Sequence, residues 1–134
     1  AGQNGGTGVR WYGGTSTNTR ARADGVGAGL KNTAIIIENQ GTVDGNAFAA
    51  SECNEYSVTV DGITYGDWYL PSKQELNLLY LQKTVVGGFT NEFYRSSTEY
   101  DFQYAWSISF TSGSENRAIL KNNTTPKIRA VRAF

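Results

Sequence analysis

The chain has 134 residues, a formal net charge of zero, no histidine and one cysteine. That length fits a single domain with one core. Without histidine, the Ser/His/Asp and Cys/His catalytic arrangements and histidine metal ligands are excluded. Cys53 alone excludes an intrachain disulfide and a Cys-x-x-Cys pair, and we expect it to be a buried small hydrophobe.

No apolar run approaches the roughly 20 residues that a membrane helix needs, so we expect no membrane insertion. The amino end lacks a charged region followed by an apolar one. This leaves localisation open, because a mature chain has already lost its signal peptide.

The first part of the chain, to residue 29, is rich in Gly, Thr, Ser and Asn and predicts ordered loop with one strand, Val9-Arg10-Trp11-Tyr12. The apolar spacing from about Ala28 to Gln40 favours a helix that ends at Gly41. Three consecutive β-branched isoleucines make a strand the alternative for this segment. A second helix is predicted from about Gly45 to Tyr56.

The middle of the chain carries two local signals. Alternating residues from Val58 to Tyr65 surround Asp61-Gly62, which predicts a hairpin because both turn positions need positive φ. Ser72 and Glu75 form a Ser-x-x-Glu capping box at the start of a third helix, and Gly87-Gly88 terminates that region.

The remainder predicts four strands and a turn at residues 111–114. The strands are Phe93 to Ser97, Tyr104 to Phe110, Arg117 to Lys121 and Lys127 to Ala133. We therefore predict an α+β fold with about three helices packed on an antiparallel sheet.

Charge is unevenly distributed along the chain. Ten carboxylates face three basic residues between Glu38 and Asp101, whereas five basic residues face one carboxylate after Asp101. We interpret the second region as a basic surface, although pairing with the acidic middle segment is the alternative. The candidate ligand-binding residues are Arg117, Lys121, Lys127 and Arg129. On a strand, Arg132 shares one face with the apolar residues Ile128 and Ala130, so we expect a structural ion pair to Glu99 or Asp67.

Four segments in a fixed order carry a family resemblance. They are Asp67-Trp68-Tyr69-Leu70-Pro71-Ser72-Lys73-Gln74-Glu75-Leu76, Tyr94-Arg95-Ser96-Ser97-Thr98-Glu99, Ala105-Trp106 and Ile128-Arg129-Ala130-Val131-Arg132-Ala133-Phe134. Together they resemble the Lcl C-terminal domain family, named after a collagen-like adhesin of Legionella. The resemblance covers about residues 10–134.

The resemblance implies an extracellular adhesin domain, displayed on the bacterial cell surface or secreted, with a loosely C-type-lectin-like fold. It implies binding of sulfated glycosaminoglycans and related sulfated polysaccharides in host attachment and biofilm formation, as a virulence factor. A collagen-like stalk is three-stranded, so a homotrimer follows from it. No cofactor, metal, nucleic acid or enzymatic activity is implied.

Two departures from the family pattern stand out. Arg95 occupies a position where the family usually has Trp, so either a partner fills that core position or the basic surface is enlarged. The strand that normally precedes this region is also absent. We therefore expect residues 1–134 to be a single adhesin domain that lacks its first strand.

Two other functional classes compete with this one. A glycosidase needs two carboxyl groups about 5–9.5 Å apart, and Glu99 and Asp101 are the nearest candidates. A ligand-free head that trimerises and caps a collagen-like stalk is the second alternative. Exposed aromatic residues serve such an interface as well as they serve a core or a sugar-stacking surface, and the candidates for stacking are Trp11, Tyr12, Tyr100 and Tyr104.

Overall fold

The computed structural model describes residues 9–15, 17–41, 47–123 and 126–132. The elements, in chain order, are α1 (Ala28–Gln40), α2 (Ala49–Glu55), β1 (Val58–Val60), β2 (Ile63–Tyr65), α3 (Lys73–Leu81), α4 (Lys83–Val86), β3 (Phe93–Glu99), β4 (Tyr104–Ser109) and β5 (Glu115–Leu120). The α+β class is confirmed, with four described helices rather than about three. The likeness to C-type lectins stays a prediction.

The main sheet is antiparallel, with the strand order β3-β4-β5. Two irregularities in pairing interrupt it, one between Arg95 and Glu99 on β3 and one between Ala105 and Ser107 on β4. At the turn between β4 and β5 the backbone N–H of Ser109 donates to the carbonyl of Ser114. The predicted turn at residues 111–114 is thereby confirmed.

The predicted last strand, Lys127 to Ala133, is wrong as a continuous element. Lys127 makes a single parallel bridge to Tyr94 on β3, and Val131 makes a single antiparallel bridge to Tyr69, ahead of α3. The segment therefore passes from one neighbour to another, and neither pairing is long enough to form a strand. Ala133 lies outside the described residues.

The amino-terminal prediction also needs correction. Residues 9–12 form no strand, because their backbone groups bond to irregular segments at single points. The N–H of Trp11 donates to the carbonyl of Lys121, and that of Val9 donates to the carbonyl of Pro126. The helix from Ala28 to Gln40 is confirmed and the strand alternative is excluded. The predicted start of α2 at Gly45 lies outside the described residues.

Both signals in the middle of the chain are confirmed. Asp61 and Gly62 have φ values of 52° and 80°, the left-handed conformation that the hairpin between β1 and β2 requires. Ser72 caps α3, where its hydroxyl accepts from the N–H of Glu75 at 3.3 Å. The Glu75 carboxylate accepts in return from the N–H of Ser72 at 3.0 Å.

Hydrophobic packing covers both faces of the main sheet. The larger cluster includes Trp11, Ile36, Phe48, Leu70, Ala105 and Ile128, and it lies between the sheet, α1 and α2. The smaller cluster comprises Leu76, Tyr94, Ile108 and Phe110, and it joins α3 to the opposite face. Residues at odd spacing along a strand point to opposite faces, which accounts for the separation of Ala105 from Ile108.

None of the described helices has the length and apolar character needed to cross a bilayer.

Candidate functional site

Two aromatic side chains lie between two cationic side chains across one end of the main sheet. The guanidinium carbon of Arg117 lies 5.0 Å from the ring centre of Tyr100. Tyr100 meets Trp106 edge to face, with ring centres 5.7 Å apart. The ammonium of Lys73 lies 4.2 Å from the ring centre of Trp106. We call these four residues, Arg117, Tyr100, Trp106 and Lys73, the aromatic–cationic strip.

The fold positions three members of the strip, Trp106, Lys73 and Tyr100, through the backbone. Trp106 lies on β4 two residues before Ile108, so both side chains leave the same sheet face, the one that α3 covers. Lys73 is the first residue of α3, and its N–H donates to the Thr98 hydroxyl on β3 at 3.0 Å. Tyr100 follows β3 directly, and its N–H donates to the carbonyl of Tyr104 at 3.0 Å.

The two ends of the strip differ in how far their charge is neutralised. Lys73 lies 3.6 Å from a carboxylate oxygen of Asp24, a partly exposed ion pair. Arg117 is exposed and has no ion pair among the residues that the structure describes. Its guanidinium can donate two parallel hydrogen bonds to a planar or tetrahedral anion, which makes Arg117 the stronger anion-binding group of the two.

Lys121 belongs to the interior and not to the surface, which corrects its assignment as a ligand-binding residue. Its side chain is 1% exposed, and its ammonium lies 2.6 Å from a Glu99 carboxylate oxygen. The ammonium also donates to the carbonyl of Thr17 at 3.0 Å and lies 4.5 Å from the ring centre of Trp11. Because protein groups surround it, this ammonium cannot contact a ligand on the sheet surface.

Lys127 and Arg129 lie away from the strip, and both have protein partners. The ammonium of Lys127 is 3.7 Å from a carboxylate oxygen of Glu92. Arg129 donates to the carbonyl of Gly87 at 3.1 Å, and its guanidinium carbon is 4.7 Å from the ring centre of Phe89. Of the four predicted residues, the structure therefore places only Arg117 exposed and beside an aromatic surface.

Arg132 forms the structural ion pair that the sequence predicts, with Asp67 rather than Glu99. Its Nε lies 2.7 Å from Oδ1 of Asp67, in a geometry that makes the contact an ion pair rather than a directed hydrogen bond. The contact with Arg132 also holds the pKa of Asp67 below its usual value. This pair ties the carboxyl-terminal segment to the residues ahead of α3.

Arg95 is fully buried, so it does not enlarge the basic surface. Its Nε donates to the carbonyl of Val9 at 2.7 Å, and Nη2 donates to the carbonyls of Leu120 and Asn123. Burial lowers the pKa of Arg95 to about 9, which leaves the guanidinium charged at neutral pH. Three main-chain carbonyls thus surround the charge, and Nη1 has no hydrogen-bond partner among the described residues.

Glu99 and Asp101 do not form a pair of carboxylates facing a cleft. The Glu99 side chain is fully buried beside Lys121. Burial by itself would raise the pKa of Glu99, but hydrogen bonds from Lys121 and Thr19 outweigh it and hold the pKa below its usual value. Asp101 accepts from the N–H groups of Gln103 and Tyr104, both at 2.9 Å, and so stabilises the turn before β4. Neither carboxylate is arranged for glycoside hydrolysis.

The sequence interpretation missed Lys73 and Trp106 as members of the site. A signal was available for Trp106, because strand alternation places it on the same face as Tyr104. No signal was available for Lys73, which is 33 positions earlier in the chain. Among the aromatic candidates for stacking, Tyr100 is 37% exposed whereas Trp11 is fully buried.

No protein-family model matches the chain, and no curated protein matches it.

Proposed function

We propose that this domain is an extracellular adhesin head that binds sulfated polysaccharide through the aromatic–cationic strip. The observation that carries the proposal is the pair of rings, Tyr100 and Trp106, that lies between the cations of Arg117 and Lys73 across one end of the sheet. The resemblance to the Lcl C-terminal domain family supports the same ligand class. Sulfated glycosaminoglycans are the proposed partners, on the host surface and within biofilm.

The strip offers the two kinds of contact that a sulfated sugar chain requires. Sulfate oxygens accept charge-assisted hydrogen bonds from a guanidinium or an ammonium group. The apolar C–H face of a sugar ring loses contact with water when it packs on an aromatic side chain, and Tyr and Trp keep their polar atoms toward solvent. Cations at both ends of a pair of rings therefore favour an extended ligand with separated anionic groups over a single small anion.

Heparin binding by the Arg117→Ala variant tests the proposal. A hydrogen bond to a charged group contributes about 1.5–3 kcal/mol, so we expect affinity to fall by about tenfold or more. Tyr100→Ala should also weaken binding, through loss of stacking. Wild-type affinity should fall steeply from about 50 mM to 0.5 M salt, because binding releases counterions from the polyanion and added salt reduces the free energy gained from that release.

The matched controls are Lys31→Ala, which removes an exposed charge on α1, and Arg129→Ala, which removes a charge near Phe89. Both should bind heparin nearly as the wild type does. If Arg129→Ala weakens binding as much as Arg117→Ala, the aromatic–cationic strip is not the contact surface. If wild-type binding is absent at low salt, the glycan-binding function itself is wrong.

A trimerising head without a ligand of its own is the second candidate, and one observation favours it. Leu81, Val85 and Val86 lie at the end of α3 and on α4, and their exposed fractions are 64%, 82% and 45%. Adjacent exposed apolar residues of this kind are typical of protein interfaces. Light scattering should then give the mass of three chains, and Leu81→Ser with Val85→Ser should give the mass of one.

A further inference from the structure

A cleft of about 260 Å³ lies between α2 and the segment after Pro126, away from the aromatic–cationic strip. It is lined by Glu52, Cys53, Glu55, Tyr56, Ile128 and Ala130. Ile128 and Ala130 are each 3% exposed and belong to the larger hydrophobic cluster. The cleft therefore has an apolar floor beneath two acidic side chains.

The two glutamates share one side of α2. They stand three residues apart, a spacing that brings helix side chains within about 5–6 Å of each other at Cβ. Within the described part of the chain, neither carboxylate has an ion pair or a hydrogen-bond donor of its own. Burial raises the pKa of Glu52, and the like charge of Glu55 raises it further.

The backbone of α2 adds to the negative charge of the two glutamates. Glu55 is the last residue of α2, where the helix carbonyls leave a partial negative charge that cations stabilise. A carboxylate at that position destabilises the helix, because its charge has the same sign as the partial charge of the helix end. Local choices that weaken an element are found where a protein uses the residue for function. Burial raises the pKa of the Cys53 thiol, so Cys53 contributes no charge to the cleft.

An aromatic ring forms one wall. Tyr56 lines the cleft and meets Trp68 edge to face, with ring centres 5.1 Å apart. The Trp68 indole N–H donates to the carbonyl of Tyr65 at 2.8 Å, which fixes the indole behind Tyr56. Aromatic rings attract organic cations electrostatically, and the attraction increases when the cation loses water.

Size and coordination narrow the class of ligand. Pockets for drug-sized ligands are about 300–1,000 Å³, so this cleft suits a single side chain or an amine of similar size. The described residues contain no group of three His, Cys, Asp or Glu side chains that could hold a metal ion. Arg129 lies between Ile128 and Ala130 in the sequence, but its guanidinium donates to the carbonyl of Gly87. An apolar floor also gives a bare metal ion nothing to bind.

We propose that this cleft binds an alkylammonium group. The ammonium lies between Glu52 and Glu55, while the alkyl stem packs on Ile128 and Ala130 beside the Tyr56 ring. Two sources offer this chemistry: a free alkylamine and the lysine side chain of a polypeptide. The proposal is independent of glycan binding, because no residue of the cleft belongs to the strip.

Titration of the ¹⁵N-labelled protein with n-pentylammonium, followed by NMR, tests the site. Chemical-shift changes should saturate and be confined to residues around α2 and residues 126–132. n-Pentanol has the stem without the charge, and ammonium has the charge without the stem. Each should bind at least tenfold more weakly than n-pentylammonium.

The variant Glu52→Gln with Glu55→Gln should lower n-pentylammonium affinity by at least tenfold. It should not lower Tm, because it removes a repulsion without changing side-chain shape. Glu115→Gln, on β5, is the matched control and should bind as the wild type does. Equal binding by the double variant and the wild type, or equal binding of pentanol and pentylammonium, would overturn the proposal.

A second ligand assigns the source of the group. A short peptide with an acetylated amino terminus and one central lysine presents the same alkylammonium on a polypeptide, without a second amine. Tighter binding of this peptide than of n-pentylammonium identifies a protein lysine as the ligand, and tighter binding of the free amine identifies a small amine. If neither shifts the cleft residues, the site does not exist.

Discussion

The substitution Glu99→Gln tests whether the buried pair of Glu99 and Lys121 holds the amino-terminal segment to the sheet. The Glu99 carboxylate accepts from the N–H and the hydroxyl of Thr19 at 2.8 and 2.9 Å. It accepts from the N–H of Arg20 at 3.1 Å and from the Lys121 ammonium at 2.6 Å. A glutamine amide has nearly the same shape, but it turns an NH₂ donor toward some of these donors and leaves Lys121 buried without a counter-charge.

The expected cost follows from the burial of both partners. Removal of one member of a buried ion pair costs about 3–5 kcal/mol, because the remaining charge stays desolvated. A domain of this size has a free energy of unfolding of about 5–15 kcal/mol, so the change removes a large fraction of it. At about 3–5 °C per kcal/mol, Tm should fall by about 9–25 °C.

Urea denaturation at pH 7, followed by circular dichroism, measures this loss. The midpoint should shift while the slope with denaturant stays constant, since the exposed surface is unchanged. Adding Lys121→Met to Glu99→Gln should restore part of the stability, because no unpaired ammonium then remains. Lys121→Met alone should reduce stability without weakening heparin binding in folded protein, since Lys121 is not on the surface.

The pH dependence has a defined sign. The folded-state pKa of Glu99 is below 4.5, its value in an unfolded chain, so the unfolded state takes up a proton first as pH falls. The stabilisation is complete above pH 4.5 and is lost as pH falls through the folded-state pKa. The difference between wild type and Glu99→Gln should therefore shrink in acid. If Glu99→Gln lowers the free energy of unfolding by less than about 1 kcal/mol at pH 7, the reasoning is refuted, because loss of one partner of a buried ion pair is expected to destabilise the protein by more than that.

Three further outcomes follow from local geometry. Ser72→Ala should lower the free energy of unfolding by about 1 kcal/mol in urea, because α3 loses its N-cap acceptor. Gly29→Ala should lower Tm much more than Gly66→Ala, since the new Cβ would lie 2.7 Å from the carbonyl oxygen of Leu70 and 2.8 Å from the backbone nitrogen of Ser72, whereas nothing lies within 4 Å at Gly66. Arg95→Met should change stability without reducing heparin affinity, because the hydrogen bonds of the Arg95 guanidinium within the described part of the chain go to main-chain carbonyls; lost binding in a folded variant would contradict its interior position.

Elements specified by neighbouring residues were predictable from the sequence. The Asp61-Gly62 turn and the Ser72 capping box depend on backbone conformation and hydrogen bonds within four residues, so their residue types identify them directly. The helix from Ala28 to Gln40 and three of the four carboxyl-terminal strands followed from periodicity. The segment from Lys127 to Ala133 alternates like a strand, but its partners change along its length, and no local pattern records that change.

The sequence by itself determined the α+β class, the start of α3, the hairpin turns and the surplus of basic residues after Asp101. Only the tertiary structure decided which of those basic residues are exposed. Arg117 lies on β5 and Lys121 directly follows that strand. Glu99 and Trp11 nevertheless enclose Lys121, whereas Arg117 is exposed to solvent over the Tyr100 ring. The physical reason is that burial and ion pairing depend on residues distant in sequence, whereas charge and periodicity are local properties.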